Sequence, residues 1–208
     1  MAVNYIVKAD VIDITVDSPQ KGDIFLVDTN AWYWLTYPPA SSLANITQNQ
    51  LNYRLNYSNY VTDADSVGAT LRCSGLSLAE LSHIIEREEQ KLSTYHSINK
   101  KEYRHNYPLE RARVVSQVQN AWNQVQNTYG VLINLTLDQA TLNAAFHRFS
   151  TQSLDGYDLF ILESMRQESI DKIITDDGDF VTVPGIQVFT ANPRAIAAAR
   201  NHGKLVTR

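Results

Sequence analysis

The sequence predicts an α/β fold in three layers, a central parallel sheet with helices on both faces, plus an extra N-terminal strand and helical insertions. Three observations predict it. Short apolar runs alternate with segments of helical period through most of the chain, as repeated strand–helix units do. Several of those runs are continuously apolar, as strands buried on both faces require. At 208 residues the chain fits one sizeable domain with a real core and is tight for two.

The elements follow in order. Tyr5 to Val16 alternates apolar and polar residues, as a strand with one buried face does. Ser18-Pro19-Gln20-Lys21-Gly22 is a turn. Ile24-Phe25-Leu26-Val27 is a buried strand, and Asp28, Thr29 or Asn30 can cap the aromatic helix Ala31 to Tyr37, which Pro38-Pro39 stops. Thr47-Gln48-Asn49-Gln50 matches a capping box opening a helix toward Val67. Thr70 to Cys73 is a short strand. Ser77-Leu78-Ala79-Glu80 is a second capping-box match, leading into Leu81, Ile84 and Ile85. Leu109 to Tyr129 reads as one long helix with Val114, Val115, Val118, Trp122 and Val125 as its apolar stripe, ended by Gly130. Val131 to Ile133 is the next buried strand. Thr136 caps a helix over Leu137 to Phe149, and Ser153 caps another carrying Asp155, Asp158, Leu159, Ile161 and Leu162. Lys172 to Thr175 and Gln187 to Thr190 are strands, and Asn192-Pro193 starts a helix that Gly203 ends. No internal repeat or linker divides the chain, which reads as one domain over 1–208 with a core at about 23–192, enlarged helical segments at 38–75 and 90–129, and a C-terminal helix and tail at 193–208.

Composition narrows the function. With 44% hydrophobic and 19% charged residues the chain reads as an ordinary soluble globular protein. A single cysteine, Cys73, excludes an internal disulfide and agrees with a reducing compartment. No signal peptide and no apolar run of membrane-spanning length is visible, so the expected location is the cytoplasm, with no membrane partner. The net charge of −4 counts mildly against a dedicated nucleic-acid binder. It counts little against a metal-dependent nuclease, whose local acidic cluster is inverted by its metals. The basic stretch Lys100, Lys101, Arg104, Arg111, Arg113 reads as a solvated helix face.

Ligand sites in open parallel sheets form at the carboxyl ends of strands. Asp28 directly follows one predicted strand, and Asp176, Asp177 and Asp179 directly follow another. Glu80 lies in the first turn of a helix after a strand, and Asp158 lies early in the helix before the last aspartate group. Each acid alone has an ordinary explanation: a cap for Asp28, a capping box for Glu80, the helix dipole for Asp158, a turn for Asp176 to Asp179. These explanations leave open why all four groups fall at element ends on one side. Packed carboxylates repel unless a cation fills the cluster. Oxygen ligands without a Cys or His set favour magnesium or manganese over zinc. Two such ions roughly 3.5–4 Å apart can activate a water and stabilise a phosphodiester's leaving oxygen.

Four blocks carry a resemblance to the PIN-domain family of nucleases. They are Phe25-Leu26-Val27-Asp28-Thr29-Asn30, Leu76-Ser77-Leu78-Ala79-Glu80-Leu81, Leu154-Asp155-Gly156-Tyr157-Asp158-Leu159-Phe160-Ile161 and Ile173-Ile174-Thr175-Asp176-Asp177-Gly178-Asp179-Phe180. They occur in the family's order and cover Asp23 to about Asn192. The resemblance implies a magnesium- or manganese-dependent endoribonuclease. It implies Asp28, Glu80, Asp158 and Asp177 as the catalytic and metal-binding set, Asp179 as an accessory metal-binding aspartate, and Thr29, Asn30 and Thr175 as supporting polar residues. Asp155 competes with Asp158, and Asp176 with Asp177; spacing to the neighbouring blocks favours Asp158 and Asp177. Implied partners are an RNA substrate, a second copy in a homodimer meeting near Trp32 to Tyr37, and an antitoxin or regulatory protein. The enlarged segments and the extra N-terminal strand depart from the family's small toxin members.

Three other features carry less. The five histidines (His83, His96, His105, His147, His202) read as surface or packing residues. Trp32, Tyr33, Trp34 and Tyr37 read as core or interface before base-stacking residues. Cys73 reads as a small buried hydrophobe. Two alternatives to the nuclease remain: a non-catalytic PIN-fold module for RNA binding or protein interaction, and another magnesium-dependent phosphoryl-transfer enzyme. The latter usually needs a lysine or a phosphate-cradling glycine loop, and no such loop is present.

Overall fold

The computed structural model describes residues 3–38 and 47–208. Six strands form one all-parallel sheet: β1 Asp10–Asp13, β2 Ile24–Val27, β3 Thr70–Ser74, β4 Val131–Ile133, β5 Lys172–Ile174 and β6 Gln187–Thr190. The helices are α1 Thr29–Thr36, α2 Gln48–Ser66, α3 Leu76–Leu92, α4 Lys100–Asn106, α5 Pro108–Gln124, α6 Gln139–Thr151, α7 Gly156–Gln167 and α8 Pro193–Asn201.

The strand order is β1-β6-β5-β2-β3-β4. From β2 the chain steps outward through β3 to β4, then returns to β5 on the other side of β2 and steps outward again to β6. The order therefore reverses between β2 and β5, which makes their carboxyl ends the switch point of the sheet.

Alternation of side chains divides the core. Val11, Leu26, Ile173 and Val188 face α6, α7 and α8, packing with Ala145, Leu162, Met165 and Ala199. Ile12, Phe25, Val27, Ile174 and Phe189 face the other way, against Trp32 of α1 and Tyr57, Tyr60 and Val61 of α2. A third cluster joins α1, α3 and α5 through Tyr33, Tyr37, Leu81, Ile85 and Ala121. The expected three layers are present. Among the described residues no helix is long and apolar enough to cross a membrane.

The structure corrects several expectations. The strand expected over Tyr5 to Val16 pairs only at Asp10–Asp13, because the Asp13 side chain accepts from Thr15 N at 2.9 Å and Val16 N donates to Asp13 O at 3.2 Å, turning the chain. The long helix ends as α-helix at Gln124 and closes in a π-turn, Val125–Tyr129, and Val115 of its expected apolar stripe is exposed. β4 is an edge strand rather than a buried one, with Val131 and Leu132 exposed. The caps of α6 and α7 are Asp138 and Asp155 instead of Thr136 and Ser153, since those carboxylates accept the first free N–H groups. α3 starts at Leu76 with Gly75 as its cap residue, so Ser77 closes no capping box. Trp32, Tyr33 and Tyr37 are core residues buried within the fold, while Trp34 is half-buried. The basic stretch is more than a solvated face: Arg104 and Arg111 bind the buried Glu86, and Arg113 binds the buried Glu89. Pro39 of the expected helix stop, and 39–46 of the enlarged segment at 38–75, lie outside the described residues.

Candidate functional site

The register of the two central strands builds the floor of the site. Val27 lies opposite Ile174, so the next residues, Asp28 and Thr175, emerge side by side. Asp28 N donates to Ile174 O at 2.9 Å, carrying the ladder one step past the strand end. The Asp28 carboxylate then does two things at once. Oδ1 accepts from Thr29 N at 2.7 Å, capping α1, and Oδ2 accepts from Thr175 Oγ1 at 2.8 Å. Thr175 Oγ1 in turn accepts from Asp177 N at 2.9 Å, and Asp177 Oδ1 accepts from Asp179 N at 2.8 Å to cap the short 3-10 turn Gly178–Thr182. A string of hydrogen bonds thus fixes Asp28 relative to Asp177.

Glu80 reaches the same place from α3. Its helix begins two residues earlier than a capping box on Ser77 would need, and Ser74 Oγ accepts from Leu76 N at 3.2 Å. With no cap to serve, Glu80 Oε2 accepts from Thr29 Oγ1 at 2.5 Å. Asp158 arrives from the first turn of α7, buried, while the cap residue Asp155 stays exposed. Asp28, Thr29, Asn30, Glu80, Asp155, Asp158 and Asp177 all line one cleft of about 280 Å³.

The cleft separates Asp177 from Asp176 by position. Asp177 faces it, whereas Asp176 turns away to accept from Tyr53 and Tyr57 of α2, the latter at 3.0 Å. Asp155 and Asp158 both line it, so position alone does not choose between them, but only Asp158 has its carboxyl free of cap duty. Asp179 and Thr175 are outside its walls; Thr175 acts through Asp28 and Asp177. His83, Ile84 and Tyr157 also line the cleft. The histidine was passed over in the sequence for want of a Cys or His partner, yet it stands three residues after Glu80 on one helix face, and that spacing was a usable signal.

Charge is frustrated here. Burial first, then the charge of Glu80, pushes Asp28 up to about 7 although the bonds from Thr175 and Thr29 oppose it. Burial first, then Asp28 and Asp177, pushes Asp158 up to about 9. Burial also raises Glu80, Asp177 and Asp179, with neighbouring aspartates adding to it. Among the described residues no group of three or more His, Cys, Asp or Glu side chains is gathered closely enough to form a ready-made metal cage. Carboxylate oxygens dominate the donors, with His83 the one imidazole among the lining residues, and carboxylates this discouraged from ionising gain from a cation. Both points fit an ion of the magnesium kind, which takes one or two carboxylates and completes its shell with water and phosphate.

Compared with known proteins, no family model matches the chain and no curated protein matches it.

Proposed function

We propose that the chain is a magnesium- or manganese-dependent endoribonuclease acting at the cleft between β2 and β5. One observation carries this reading: five carboxylates from four separate segments of sequence line one cleft at the sheet's switch point, with two held well above their ordinary protonation range. Such an arrangement costs stability and is to be expected where charge is needed for chemistry. The choice of RNA among phosphodiesters rests on the resemblance of the four blocks to PIN-domain nucleases.

In this reading the cation would be held by one or two of the cleft carboxylates of Asp28, Asp158 and Asp177, with water and the substrate phosphate completing its shell, and it would supply charge neutralisation at the phosphate and a more acidic water. Thr175 keeps the Asp28 carboxylate aimed into the cleft, and Thr29 does the same for Glu80. Glu80, raised by burial, accepts the proton that an attacking water must lose. The protein's part is to bind, orient and take up that proton.

Single-stranded RNA incubated with the protein and manganese is expected to be cut, with activity reduced at least about a hundredfold in Asp28→Asn and in Asp177→Asn. Cutting that survives both substitutions removes the assignment. Manganese and RNA binding without cutting would instead make the chain a non-catalytic binding module.

A further inference from the structure

A second concavity adjoins the cleft. It is a groove of about 550 Å³ between α3 and α5, and His83 lines both it and the cleft. Its walls are apolar along most of their length, from Leu78, Val115, Val118 and Trp122. Leu78 and Val115 on these walls are 38% and 48% exposed.

One end of the groove is cationic by construction. Glu86 is buried on α3 and gathers two guanidinium groups from different helices. Arg104 of α4 binds it through Nε at 2.6 Å and through Nη2, and Arg111 of α5 binds it through Nη1 at 3.0 Å. The bond from Arg104 lowers the Glu86 pKa against burial, so the carboxylate stays ionised. Two guanidinium charges against one carboxylate leave this end with one net positive charge, and each guanidinium keeps further N–H donors beyond those bonds. A planar apolar body with an anionic group beside it suits the groove, and a nucleotide is such a body.

We propose that this groove binds a nucleotide of a single-stranded RNA next to the scissile phosphate, with its base against Trp122 and Val115 and its phosphate at Arg104 and Arg111. The direction of the strand rests on the nuclease reading of the cleft: a chain whose phosphodiester sits among the carboxylates must continue into adjoining space, and the groove shares His83 with that space. Arginine forks match phosphate oxygens, and stacking on an aromatic ring tolerates any base, so the groove contributes affinity more than sequence choice.

The test uses a fluorescein-labelled single-stranded RNA of about ten nucleotides, with EDTA present so that no strand is cut, and reads anisotropy across a salt series. Val115→Glu places a carboxylate on exposed groove wall, and Arg111→Gln removes one guanidinium while leaving Arg104 on Glu86. Both are expected to stay folded and to bind manganese as the wild type does. RNA affinity is expected to fall about tenfold in each, with the salt slope of Arg111→Gln smaller by about one. RNA affinity unchanged in both variants, or no RNA binding by the wild type, overturns the proposal. So does loss of self-association in the variants while RNA affinity holds, which would make the groove a protein interface. Loss of RNA affinity in both variants of a chain that binds no manganese keeps the groove as a nucleic-acid site and defeats only the cleavage reading.

Discussion

Burial and the neighbouring carboxylates put Asp158 up at about 9 and Asp28 at about 7, where a solvated aspartate sits at 3.8. The two groups feel each other, so they titrate as a pair rather than separately. Between about pH 4 and 9, on the order of those values, these two groups hold more protons in the folded metal-free chain than in the unfolded one, and their contribution to stability falls as pH rises. The penalty is absent below the unfolded pKa and complete above the folded ones. Metal-free protein is therefore expected to melt at a lower temperature at pH 8 than at pH 5. Asp158→Asn, which cannot ionise, is expected to gain about 1–3 kcal/mol at pH 8 and little at pH 4. Thermal melts in EDTA across that range check it; a flat profile, or an Asn variant less stable than the wild type at pH 8, would show that these carboxyls ionise freely. At this scale the sequence was informative where a residue directly follows an apolar strand, as Asp28 does. Spacing favoured Asp177 over Asp176 but gave no physical reason, because what turns Asp176 away is a pair of tyrosine hydroxyls more than a hundred residues upstream.

At the scale of elements, the segment ahead of β1 and the turn after β5 lock together. Lys8 N and Ala9 N both donate to Val181 O, at 2.8 and 3.0 Å, and the Tyr5 ring sits over Gly178, where any Cβ would run into its hydroxyl end. Gly178 stands between the aspartates at 177 and 179, so a shift there moves Asp177. Gly178→Ala is expected to cost about 1–2 kcal/mol, and most of that cost is expected to vanish in a Tyr5→Ala background, as for two residues in contact. Equal costs in both backgrounds would mean that the turn is set by its own bonds and not by Tyr5. Element order and type were legible because the apolar runs are short and the helical stripes long. Starts were less so. Ser77, Thr136 and Ser153 are all plausible caps, but Asp138 and Asp155 are the residues whose carboxylates reach the first free N–H groups of α6 and α7, and α3 starts after Gly75 with no side-chain cap. The pairing of Arg104, Arg111 and Arg113 with acids of α3 was invisible because it joins separate helices.

For the molecule as a whole, the parallel sheet brings distant acids together and leaves them mutually repelling, held by the packing of two cores and by the tyrosine contacts of α2. A cation that binds only the folded chain should relieve that repulsion and stabilise every layer at once, since one sheet carries both cores. Linkage sets the size: at a concentration a hundredfold above its dissociation constant, a single bound ion contributes about 2.7 kcal/mol. For a chain of this length that corresponds to roughly 5–10 °C in melting temperature. Manganese is expected to raise the melting temperature of the wild type by about that much at pH 8, and by less at pH 5, where protons already occupy the cluster. Asp28→Asn/Asp177→Asn is expected to begin from a higher metal-free value at pH 8, because repulsion has been removed, and then to gain nothing from manganese. The two effects have opposite signs in the same variant, which separates a metal site from simple loss of structure. A double variant that gained as much as the wild type would place the ion elsewhere. One that lost stability in EDTA would show that the carboxylates serve the fold through their hydrogen bonds to Thr29, Thr175 and Asp179 more than they strain it.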